Sequence, residues 1–150
     1  MKKFSFKLQA VLREREIRED ERKRELAETI KEWLKQKQIL DRLQNYLKES
    51  EALSYAEKEK KVPDIKTIRS YEMFMMMLRR RIIEQKIETK KAEKCVDDYR
   101  IKLAEAMKRK KILFTFRDKL HKIYQSEAEK LERKELDEIS VLRVNHAKHH

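Results

Sequence analysis

The chain contains no glycine in 150 residues and a single proline, Pro63. An average soluble domain of this length would carry about ten glycines. Phosphate-cradling loops, dinucleotide fingerprints, nucleophile elbows and primed hairpin turns all need glycine, because only glycine enters the left-handed backbone region without a steric penalty. A β-rich or α/β enzyme is therefore excluded. What remains is a chain with few sharp turns, built from long helices. Charged residues make up 45% of it and hydrophobic residues 39%. That apolar fraction is too low for a thick layered core and too periodic for plain disorder. It fits a narrow core shared between helices.

The one strong breaker is Lys61-Val62-Pro63-Asp64. Proline removes an amide donor and pushes Val62 out of helical geometry, and Asp64 is a good N-cap for the next helix. The sequence thus predicts helix one over about 5–61, with Ser5 as a possible cap, a turn at about 62–64, and helix two over about 65–145. Helix one shows a coiled-coil rhythm at Leu26, Ile30, Trp33, Leu40, Leu43 and Leu47, interrupted by Lys37. Helix two offers Ile65, Ile68, Ile82, Ile83, Ile87, Val96, Tyr99, Leu103, Met107, Phe114, Leu120 and Tyr124. Those spacings are irregular and predict phase slips.

A short connector makes neighbouring helices antiparallel. Equal rise on both arms then sets residue i against roughly residue 127 − i, so that Leu40 faces Ile87 and Leu8 faces Leu120. The predicted fold is all-α: one coiled-coil domain over 1–150, a long antiparallel two-helix hairpin whose second helix overhangs the first. Between Leu12 and Leu26 the only large apolar residue is Ile17, so that segment should bury little. Residues beyond about Lys122 have no intramolecular partner and must fray, dimerise or dock.

Candidate chemistry is sparse. The carboxylates sit on solvated helix faces, and a two-helix hairpin offers no dry cleft in which to tune them for acid–base work. No enzymatic activity, cofactor or metal is expected. His146, His149 and His150 cluster at the C-terminal end without the spacing of a structural zinc site, and Cys95 has no histidine near it. No apolar run reaches the ~20 residues of a membrane span, and the opening residues lack a signal-peptide hydrophobic region, so the cytosol is the expected compartment. Residues 79–122 hold sixteen basic and seven acidic side chains. This stretch could bind nucleic acid, but it lacks leucine heptads following a basic region and has few stacking aromatics. A solvated face, or one for an acidic partner, is the preferred reading. The run Met73-Phe74-Met75-Met76-Met77-Leu78 covers every face of a helix, more than one partner can bury. It is either extra core near the turn or an adaptable docking patch.

The termini resemble the flagellar FliJ family of type III export proteins. The resemblance is carried by Lys3-Phe4-Ser5-Phe6-Lys7-Leu8-Gln9-Ala10-Val11-Leu12 with Arg15, Glu16 and Asp20, by Pro63-Asp64, Tyr71, Phe74, Leu78 and Ile82, and by Glu135-Leu136-Asp137-Glu138-Ile139 with Arg143. Ala10, where many members carry proline, and the Met-rich run depart from the pattern. The resemblance implies a non-enzymatic coiled-coil stalk. Its open end would enter the flagellar export ATPase ring and promote ring assembly, its other end would reach the cytoplasmic domain of the membrane export gate, and it would help recycle export chaperones at the inner face of the cell membrane. By motif match, Phe4, Phe6, Leu8, Val11, Leu12, Arg15, Asp137, Glu138 and Arg143 are candidates for the ATPase-facing end. Leu40, Leu43, Leu47, Phe74 and Leu78 are candidates for the gate-facing patch. The open alternatives are a basic nucleic-acid-binding helix protein and the equivalent stalk of a virulence-type secretion system.

Overall fold

A computed structural model describes residues 2–149. Two α-helices account for nearly all of them: α1, Gln9–Lys58, and α2, Ile65–Lys148. They pair as a helical hairpin, and no strand occurs among the described residues. The chain divides into two compact units, Asp20–Ala104 and the remainder on either side of it.

In the unit Asp20–Ala104, the connection spans residues 59–64, longer than the predicted 62–64. Helix α1 stops at Lys58 because a carboxylate takes over the turn. Glu57 Oε1 accepts the Asp64 amide N–H at 3.1 Å, and Glu57 Oε2 pairs with Lys60 Nζ at 2.6 Å. Asp64 caps α2 as its sequence position predicts: Oδ1 accepts the Lys66 N–H at 3.1 Å and Oδ2 accepts the Thr67 hydroxyl at 2.9 Å. The Lys60 hydrogen bond, reinforced by the Asp64 N–H, holds the Glu57 carboxyl below the usual carboxylate range, and Glu57 in turn raises Lys60 above the ordinary lysine value. A depressed carboxylate stabilises the fold above its unfolded pKa, and that contribution is lost as pH falls through the folded value. A raised lysine stabilises below its unfolded pKa and loses this as pH rises through the folded one. Glu57→Gln should therefore flatten the acid side of a plot of Tm against pH; an acid limb identical to that of the parent chain would refute this role for the turn.

The packing seam of this unit follows a 3-4 alternation on both helices. On α1 the less exposed positions include Leu26, Thr29, Trp33, Gln36, Leu40, Leu43, Leu47, Ser50 and Ser54; on α2 they include Ile68, Tyr71, Met75, Leu78, Ile82, Gln85, Thr89, Ala92, Val96 and Tyr99. The predicted phase slips do not occur. Gln85, Thr89 and Ala92 hold seam positions that an apolar count passes over, while Ile83 and Ile87 face solvent. Gln36, rather than an interrupting Lys37, continues the seam on α1, and Lys37 instead lays its ammonium 5.3 Å from the Trp33 ring centroid. Leu43, Leu78 and Ile82 form the buried cluster, with Ile39, Leu40 and Leu47 packed against it. Next to it lies a polar rung. Gln85 Nε2 donates to the Gln36 backbone carbonyl at 3.0 Å and to Gln36 Oε1 at 2.8 Å, and Thr89 Oγ1 lies 3.4 Å from that carbonyl. The ion pairs Glu51–Arg79 and Lys58–Glu72 carry the same antiparallel pairing toward the turn. All these partners fall within six positions of the 127 − i rule.

In the other unit the chain does not enter a helix at Ser5. Residues 2–6 are extended, and α1 begins only at Gln9, after a turn in which the Gln9 N–H meets the Phe6 carbonyl at 3.1 Å. The two phenylalanines explain the delay, because an extended strap lets both rings lie on α2. Phe6 stacks edge-on to Phe116 at 5.9 Å, and Phe4 meets His121 at 4.9 Å and Tyr124 at 5.6 Å. The Tyr124 hydroxyl donates to the Lys2 carbonyl at 2.6 Å. Leu12 is fully buried. Past it, Ile17 is exposed and Glu19 is buried, only 5% accessible, with Lys110 Nζ at 3.1 Å. The 3-4 phase running Leu12, Arg15, Glu19 decides this, since Ile17 falls outside it. On α2, Met107 and Phe114 are likewise exposed, while Ala106, Lys110, Leu113, Arg117 and Leu120 hold the less exposed positions. Every residue from Glu129 to His149 is exposed, so the free stretch of α2 begins close to the predicted place and stays helical through Lys148.

Candidate docking surfaces

The Met-rich run lies near the start of α2, whose helical pitch turns each side chain about 100° from the last. Met75 and Leu78 therefore point into the seam, at 7% and 3% exposure, while Met73, Phe74, Met76 and Met77 remain open at 73%, 43%, 67% and 49%. The run is thus divided between a side packed in the seam and a side left exposed. Among the five residues expected at a gate-facing patch, Leu43 and Leu78 belong to the buried cluster and Leu40 and Leu47 pack against it. Phe74 is the one with a substantial open surface, and its open neighbours are methionines. Their flexible thioethers adapt to differently shaped partners.

The residues expected at the ATPase-facing end divide in a similar way. Phe6 and Leu12 are buried, Phe4, Val11 and Arg15 are half-buried, and Leu8 is exposed. The strap joins Phe4 and Phe6 to Phe116, His121 and Tyr124 of α2. It does not join them to Asp137, Glu138 or Arg143, which are exposed on the free stretch of α2. Asp137 lies thirteen positions beyond Tyr124 along the helix, about 20 Å.

That stretch also carries exposed apolar side chains outside the candidate set, Leu131, Leu136, Ile139, Val141, Leu142 and Val144, of which Leu136 and Ile139 belong to the closing motif. Ile139, Leu142, Arg143, His146 and Ala147 line one shallow depression along it. The signal was available in the sequence, since Leu136, Ile139 and Leu142 recur at three-residue intervals on a segment with nothing opposite.

Among the described residues no group of three His, Cys, Asp or Glu side chains is placed to hold a metal, and no helix is long and apolar enough to cross a membrane. His150 lies outside the described residues. Cys95 is an exposed free thiol.

A helical hairpin with a free helix end and an open apolar patch beside its turn is the architecture of a protein that works by contacting others. The family model described as flagellar FliJ protein matches residues 4–149. The chain belongs to this family and is a component of the flagellar export apparatus. No curated protein and no solved structure gives a significant match to it.

Proposed function

We propose that this chain is the coiled-coil stalk of the flagellar type III export apparatus. The free end of α2 enters the export ATPase ring and promotes its assembly. Phe74, with Met73 and Met77 open beside it, docks on the cytoplasmic domain of the membrane export gate, and the same chain hands export chaperones back for reuse. Family membership supports the setting. The observation that carries the ring assignment is the free stretch of α2, which stays helical while its leucines, isoleucine and valines have no cover. Apolar side chains held in that way are suited to the bore of a ring, with Asp137, Glu138 and Arg143 setting register by charge. Leu8 adds an apolar side chain from the start of α1, and Phe6 and Leu12 contribute by holding the strap in place.

The test mixes the purified chain with its cognate export ATPase and measures hydrolysis and ring formation. The parent chain should raise both several-fold. A Leu136→Asp/Leu142→Asp variant should lose the effect with its helicity intact, because neither residue touches the seam. No change in hydrolysis or ring formation with the parent chain would overturn the assignment.

A further inference from the structure

On the side of α2 turned away from the seam, within the unit Asp20–Ala104, six exposed residues repeat the 3-4 alternation: Met76, Arg80, Ile83, Ile87, Lys90 and Lys94. None is acidic. Met76, Ile83 and Ile87 are more than half exposed. Arg80, Lys90 and Lys94 take part in no ion pair among the described residues, and Arg79, Lys86 and Lys91 flank the strip. Glu84, Glu88 and Glu93 lie to its sides, where Glu88 already pairs with Lys91, and Asp97, paired with Arg100, ends it. The strip runs about 27 Å along one helix.

We propose that this strip lies on an anionic phospholipid surface. Two features select a lipid bilayer over an acidic protein or a nucleic acid. The strip is the convex outer face of a single helix, so it suits a flat, deformable partner better than one that needs a matching groove. It also interleaves aliphatic with cationic side chains. Long Lys and Arg stems let the charges reach phosphates while Met76, Ile83 and Ile87 enter the boundary between headgroups and acyl chains. Phosphate-only recognition along a duplex makes no use of exposed isoleucines.

The test is co-sedimentation of the full chain with vesicles of phosphatidylcholine alone and with phosphatidylglycerol added. Binding should be at least about tenfold tighter on the anionic vesicles. Ile83→Ser/Ile87→Ser should weaken it several-fold with an unchanged melting curve, since both residues are outside the seam. Arg80→Glu/Lys90→Glu/Lys94→Glu should abolish it. Equal binding to neutral and anionic vesicles would overturn the proposal. So would anionic binding that survives both variants, or binding to duplex DNA with none to vesicles. No export protein is present in the assay, so its failure would leave the proposed stalk function untouched.

Discussion

Leu78→Ala is expected to destabilise the hairpin by about 2–5 kcal/mol, the usual cost of truncating a buried leucine when the surroundings collapse only partly. Leu78 is 3% exposed and sits with Leu43 and Ile82 at the centre of the buried cluster. A two-helix core has no third layer to close over the gap, which favours the upper part of that range. The measurement is a thermal melt followed by circular dichroism. Phe74→Asp, four residues earlier on the same helix, supplies the contrast. Its side chain is largely open, so the melt should move little while binding to a gate partner falls. A melt that collapses for Phe74→Asp, or stays in place for Leu78→Ala, would reverse the division between seam and open face.

The second large effect is expected from Trp33→Pro. Trp33 lies in the middle of α1 on the seam, under the Lys37 ammonium. Proline there removes an intrahelical hydrogen bond and clashes with the preceding turn, at a cost of about 3 kcal/mol or more. It also deletes the indole from the packing interface. The melt should shift by well over ten degrees or lose its cooperativity, and an unchanged curve would refute the assignment of residue 33 to a continuous helix.

The helix count, the antiparallel pairing and its approximate register were legible in the sequence because they depend on coarse quantities: the missing glycines, the single breaker and the rise per residue. The seam of α2 was legible only in part: Ile68, Ile82, Val96 and Tyr99 lie on it, but polar and small residues occupy positions between them. Gln85 and Thr89 bond to Gln36, and Lys110 reaches Glu19, so these positions pack without being apolar. Ile83 and Ile87 looked like core and are exposed, because hydrophobicity cannot tell one stripe of a helix from a second stripe one residue away. The start of α1 was misplaced for another reason. Phe4 and Phe6 gain more from contact with α2 than from joining a helix, and that contact spans more than a hundred residues of chain. Of the candidate docking residues, the sequence could not say which side chain of each run faces inward.

The rung formed by Gln36, Gln85 and Thr89 has a mechanical consequence. A slide of α1 along α2 by one heptad would set Gln36 against Ala92 and Val96, or against Leu78 and Ile82, and break the hydrogen bonds it accepts from Gln85, though its amide would keep its bond to Glu32. Helix against helix, this part of the molecule therefore behaves as a keyed joint rather than a greased bearing. A push delivered along one arm there is passed to the other instead of being dissipated in slippage.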